Sequence, residues 1–106
     1  MKITSTEISE VNKRFGGIVV SDSSLVHAQN TCERIRSNYK CAAVWTRAMV
    51  INHPFSDGNK RTTLYAIDSF VTVKNQIKMS RAIERIAIAN IANVDKIKEL
   101  IKNANR

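Results

Sequence analysis

The sequence predicts an all-α fold, a compact bundle of about six short helices with one short extended flap. Three observations lead to that expectation. The 106 residues include only three Gly and one Pro, well under the roughly 12% combined share of an average chain. These four fall in two clusters, Gly16 with Gly17 and Pro54 with Gly58, whereas a β sandwich or barrel needs a turn roughly every 8–12 residues. Between the clusters, apolar residues recur at helical spacing behind Ser, Thr, Asn or Asp. A hydrophobic share of 43% excludes a disordered chain, and the length suits one domain over residues 1–106.

The elements follow in order. Thr4 with Glu7 forms a capping box, and Ile3 and Ile8 a flanking staple. Ile8, Val11 and Phe15 then share one face, and Gly16 is placed to end the helix in a left-handed cap. Ile18, Val19 and Val20 are β-branched and suit an extended segment. Ser21 or Asp22 opens a second helix with a stripe of Leu25, Ala28, Cys32, Ile35 and Tyr39, which Asn38 interrupts. A third runs from about residue 40 to Asn52. Its broad apolar face of Cys41, Val44, Trp45, Ala48 and Ile51 places it near the bundle centre. Residues 53–61 break the helical pattern. It resumes with Leu64, Ile67, Phe70 and Val71 and fades near Asn75. Ile77 and Met79 alternate with polar neighbours and read as a short extended piece. Ser80 is then the expected cap of a fifth helix carrying Ile83, Ile86 and Ala87. Asn93 or Asp95 starts a last one carrying Ile97, Leu100 and Ile101.

Composition narrows the function classes. The net charge is +8, and residues 74–106 alone contribute eight basic and three acidic groups. Such a basic surface suits an anionic partner, nucleic acid or an acidic protein, or is simply a solvated helix face. Cys32 and Cys41 lack metal-site spacing in a chain with two His, and read as two reduced thiols of a cytoplasmic protein. No apolar run approaches the roughly 20 residues of a membrane span, and no signal peptide is visible, so no membrane partner is expected.

The chemistry concentrates in His53-Pro54-Phe55-Ser56-Asp57-Gly58-Asn59-Lys60-Arg61-Thr62. Pro54 disfavours helical geometry at His53 and ends the third helix there. Gly58 permits a backbone turn and a close ligand. Asn59 is a good helix cap; the free N–H groups and dipole of the helix after it favour an anion, and Lys60 and Arg61 add two cations. His53 carries an imidazole that can take a hydroxyl proton. Asp57 offers a hard oxygen suited to Mg²⁺. A base, a metal carboxylate and a phosphate cradle are the parts of phosphoryl or nucleotidyl transfer. Phe55 reads as the core anchor of the loop.

This segment resembles the signature of the Fic/Doc family, His-x-Phe-x-Asp/Glu-Gly/Ala-Asn-x-Arg, at every fixed position. Arg14-Phe15-Gly16-Gly17 and Asn75-Gln76-Ile77 extend the likeness toward the Doc (death on curing) branch. The resemblance implies a Fic/Doc fold with His53 as general base toward a Ser or Thr hydroxyl of a protein target. It implies Asp57 as Mg²⁺ ligand, and Gly58, Asn59, Lys60 and Arg61 around the phosphates of ATP or another nucleoside triphosphate. Gly17, Ile18, Val19 and Val20 would form the flap that docks the target by strand pairing, unless the three apolar residues simply fill the core. Lys60 and Leu64 stand where AMP-transferring members usually carry Gly and a second Arg. That pattern implies a Doc-like phosphotransferase with the nucleotide reversed. Gly58 and Pro54 match AMP-transferring members better, so AMP transfer stands as the alternative. The inhibitory motif of other members is incomplete here, because Val11 follows Glu10. The resemblance thus implies a toxin restrained by a separate antitoxin, with a translation elongation factor as one possible target. A third reading is a non-catalytic basic binding module; the intact motif argues against it, and nucleic acid is not the expected partner.

Overall fold

The structure, a computed structural model, describes residues 2–106. Six helices are present: α1 Ser5–Arg14, α2 Ser23–Glu33, α3 Asn38–Val50, α4 Asn59–Phe70, α5 Gln76–Ile88 and α6 Val94–Ala104. Among the described residues, extended pairing is limited to one isolated antiparallel bridge, Val19 to Phe55. The expected all-α bundle is therefore the architecture found. No helix of the described residues is long and apolar enough to cross a membrane.

The helix starts obey local chemistry. Thr4 Oγ1 accepts the Glu7 N–H at 3.2 Å, while Ile3 and Ile8 are both buried beneath it, so the capping box and staple are both formed. Ser37, Asn75 and Asn93 cap α3, α5 and α6 in the same manner. α3 is buried on nearly all sides, with Cys41 through Trp45 all in the core. It packs against α2, α4 and α6 and is the central element anticipated from its broad stripe. Gly16 takes φ 82° just past α1, the left-handed geometry expected there.

Three expectations are corrected. The second helix stops at Glu33, so Ile35 lies in a connection and Tyr39 in the first turn of α3. Ile77 and Met79 are helical, because Asn75 and not Ser80 caps α5: its Oδ1 accepts the Lys78 N–H at 3.0 Å. Met79 is fully buried while Ile77 is 66% exposed; their apparent alternation is one side of a helix meeting the other.

The third correction concerns the cysteines. Cys32 and Cys41 are bonded to each other, with Cα atoms 5.2 Å apart, inside the usual disulfide range. A helix continuing to Tyr39 would have kept them apart. The reversal over residues 34–37 turns the end of α2 back onto the start of α3. Lys2 Nζ donates to Cys32 O and Ile35 O and holds the same corner.

Candidate active site

The junction between α3 and α4 is built to present polar groups on an apolar footing. His53 N–H still bonds Met49 O at 3.2 Å, but His53 itself takes φ 47°. That left-handed geometry is unusual for a non-glycine residue and concentrates at functional sites. It swings the chain out of α3 and leaves the imidazole exposed. Pro54 and Phe55 then turn inward; Phe55 is 2% exposed and belongs to the core cluster of Trp45, Met49 and Leu25. The expected anchor role of Phe55 is what the packing displays.

Each side of the loop is tied by a different element. On one side the flap segment pairs with it: Val20 and Ser21 N–H both donate to Pro54 O, at 2.8 and 3.2 Å, and Ser56 N–H donates to Ile18 O at 3.0 Å. Ile18 N–H also donates to Ser56 Oγ at 3.1 Å. On the other side Asn59 clamps Phe55. Its Oδ1 accepts Phe55 N–H at 3.3 Å and its Nδ2 donates to Phe55 O at 2.9 Å. Behind it, buried Asn12 of α1 donates from Nδ2 to Asp57 O at 2.8 Å and to Thr62 Oγ1 at 3.2 Å.

Gly58, and not Asn59 as expected, caps α4, with φ 74°; the Asn59 amide is turned back to Phe55 and leaves the cap position to the glycine. A Cβ there would sit 3.1 Å from both Asn12 Nδ2 and Phe15 Cβ, so glycine is favoured by both torsion and space. Gly17 is more constrained still. A Cβ on it would lie 2.1 Å from Asn12 Oδ1 and 2.5 Å from Asp57 O. The flap thus rests directly on the backbone of the His53–Gly58 loop.

Above this framework is a cleft of about 390 Å³ lined by Phe15, His53, Ser56, Asp57, Gly58, Asn59, Lys60 and Arg61. His53, Asp57, Gly58, Asn59, Lys60 and Arg61 come together there, while Pro54 and Phe55 are buried and do not line it. The free N–H groups of the first turn of α4 add donors to the cations Lys60 and Arg61. Lys60 Nζ is paired with Glu84 Oε2 of α5 at 2.6 Å, both side chains about half exposed. A smaller cavity of about 220 Å³ continues from the cleft through Phe15 and Arg61 to Leu64, Tyr65, Asp68 and Gln76.

Asp57 is exposed, and its Oδ1 accepts the Gly58 N–H at 2.7 Å. No group of three or more His, Cys, Asp or Glu able to hold a metal occurs among the described residues. One carboxylate fits Mg²⁺ completed by substrate phosphates and water, the way this ion usually binds nucleotides.

The flap residues Ile18, Val19 and Val20 are 66%, 41% and 66% exposed, so core filling does not account for them. In this bridge the hydrogen bonds run between the flanking residues, which turns the N–H and C=O of Val19 away from the loop. Asn59 meets the corresponding groups of Phe55 on the far edge; the Val19 edge faces outward.

Asn12, Phe15 and Ser56 were not recognised from the sequence as site residues. The signal for Asn12 was present: it stands between Ile8 and Phe15 on an inward helical face, where a polar side chain requires a specific partner.

A helical bundle that exposes a histidine beside a glycine turn, two cations and a helix N-terminus has the elements of an anion site. The family model described as the Fic/DOC family matches residues 7–71, and the chain belongs to that family. Members in general are protein-modifying transferases. The match takes in α1 to α4, with the flap and loop, and stops before α5. No curated protein and no solved structure shows significant similarity to the chain.

Proposed function

We propose that this protein transfers a phosphoryl group from a nucleoside triphosphate to a Ser or Thr hydroxyl of a protein, as a Doc-like toxin. The observation that supports the reading best is the convergence of His53, Asp57, Lys60, Arg61 and the α4 N-terminus on one cleft. In the proposed reaction His53 takes the hydroxyl proton as the acceptor oxygen bonds the γ-phosphorus. The bridging bond to the β-phosphate breaks, and the nucleoside diphosphate departs with its pair of electrons. Gly58, Arg61 and the first-turn N–H groups would cradle the phosphates, with Lys60 exchanging Glu84 for phosphate oxygen. Asn59 would act by holding the loop, since its amide is engaged with Phe55. Mg²⁺ at Asp57 would neutralise phosphate charge. The outward Val19 edge suits an extended target segment added as a strand.

Lys60 and Leu64 favour phosphoryl transfer: the position of Leu64 on α4 puts an aliphatic side chain beside Arg61 in the adjoining cavity, with no second guanidinium fork for phosphate. Gly58 and Pro54 keep AMP transfer as the second reading. Incubation with Mg²⁺, cell lysate and ATP labelled at the α- or the γ-position separates the two. Label from the γ-position, lost in His53→Ala with an unchanged melting curve, is expected. Label solely from the α-position replaces this reading by AMP transfer. A separate acidic antitoxin partner and a cytoplasmic site of action, where the Cys32–Cys41 bond would be open to reduction, complete the proposal. A genomic neighbour encoding such a partner would support the antitoxin, and a protein that leaves growth unaffected on expression alone would count against the toxin role.

A further inference from the structure

A second groove, separate from the cleft, is lined by residues of α2 and α3 and by Asn52. One part, about 400 Å³, is lined by Ser21, Ser23, Ser24, His27 and Asn52. A second part, about 240 Å³, shares Ser24, His27 and Asn52 and continues between α2 and α3 to Arg47 and Ala92. The groove therefore starts where the flap ends, at Ser21, and beside Asn52, the residue next to His53 in the chain.

Arg47 is the unusual member. It is only partly exposed, yet the ion pairs among the described residues are Lys13 with Glu10 and Lys60 with Glu84. A partly buried guanidinium with no carboxylate partner is costly and normally finds an anion. Its position in the last turn of α3 offers the helix dipole, which offsets part of that cost. The space in front of it has apolar walls that include Val44 and Ile51, with the His27 ring and the Asn52 amide as the neutral polar groups able to bond an anion; the Ser24 hydroxyl at its edge donates to Ala48 O at 3.3 Å. One permanent cation suits a carboxylate, which Arg binds as a fork, better than a doubly charged phosphate.

We propose that this groove is a specificity pocket for an Asp or Glu side chain of the protein target, held by Arg47 with His27 and Asn52. The inference rests on the reading of the flap as the target-docking edge. An extended segment laid on Val19 advances about 3.3 Å per residue, so the acidic residue would lie within a few positions of the modified hydroxyl. The pocket would select acidic sequence context, and Arg47 would act by binding substrate and take no part in the transfer itself.

The test is a titration of the isotope-labelled protein with short capped Ala-rich peptides. Each contains one Ser and one Glu, the Glu moved a position at a time, and each has a Gln twin. The expected result is that one Glu position binds about tenfold tighter than its Gln twin, as a forked ion pair allows. Signals of Val19 and of the Arg47 side chain should both move. Arg47→Gln should erase the preference, and Arg47→Lys should retain a weakened form. If Val19 responds but Glu and Gln twins bind alike to the unaltered protein, the pocket inference is overturned and flap docking stands. A Glu preference that moves the Lys60 and Arg61 signals but not Arg47 overturns it as well. If no peptide perturbs Val19 at millimolar concentration, flap docking fails and the pocket fails with it. The twin comparison needs no variant, so a poorly folded Arg47→Gln would not decide the matter.

Discussion

Gly17 and Gly58 show how little freedom the site has at the level of single atoms. Gly17→Ala would drive a Cβ into Asn12 and the Asp57 carbonyl. Overpacking of this sort costs about 1–3 kcal/mol, and relief must come from moving the flap or the loop. Gly17→Ala is therefore expected to lower Tm and to cut target modification together. Gly58→Ala should cost about 1–2 kcal/mol through its left-handed torsion, measurable by denaturant unfolding. Asn12→Ala should be worse for activity than for stability. Losing the donor to Asp57 O and Thr62 Oγ1 costs about 1–3 kcal/mol, but it also frees the segment that presents Asp57. A variant that keeps wild-type turnover with the amide removed would contradict that role. His53, Asp57, Lys60 and Arg61 were legible in the sequence because their chemistry is local to one loop. Asn12 was harder to read because its partner lies 45 residues away, and helical periodicity says which way a side chain faces without saying what it meets.

At the level of elements, the flap and loop form a two-stranded unit whose inner edge is satisfied and whose outer edge is open. Replacing Val19 by Pro removes an N–H that points outward and makes no bond to the loop. Nucleotide binding and Tm should change little in Val19→Pro, while modification of the protein target falls by an order of magnitude or more, since strand addition draws on main-chain bonds. Equal modification by Val19→Pro and wild type would contradict docking on this edge. The Lys60–Glu84 pair joins α4 to α5 across solvent. Exposed pairs are worth roughly 0–1 kcal/mol, so Glu84→Gln should leave Tm nearly unchanged and tighten nucleotide binding by releasing Lys60. Isothermal titration with a non-hydrolysable ATP analogue checks this. Helix existence was legible from caps and periodicity; helix limits were less so. The α2 boundary failed because Ile35 and Tyr39 continue the apolar spacing of Leu25, Ala28 and Cys32 through a chain reversal. The α5 start failed because the first turn of a helix, with one residue exposed and one buried, imitates the alternation of a strand.

For the whole molecule, the central α3 fixes the geometry of everything else. It leads into the His53 loop at its C-terminal end and is bonded to α2 near its N-terminal end through Cys32 and Cys41. A cross-link closing so short a loop stabilises by about 2–3 kcal/mol in the chain-entropy account. Reduction should lower Tm by on the order of 10 °C for a chain of this size, seen by melting with and without dithiothreitol. An unchanged Tm would mean that the bridge contributes nothing to the fold. The bridge was illegible in the sequence because it depends on the turn between α2 and α3, the same boundary that periodicity misplaced. The basic charge of residues 74–106 falls on α5 and α6, outside the family match but packed on α3 and α4, and is the natural face for the acidic antitoxin proposed above.

Passage of a phosphoryl group from the His53 cleft to a protein hydroxyl is tested by the mass of the adduct on a modified target after reaction with Mg²⁺ and ATP, with wild type and His53→Ala side by side. A mass gain of one phosphoryl group on a Ser or Thr is expected, absent with His53→Ala. A gain of one adenylate group, or a phosphoryl gain that persists without His53, would contradict it.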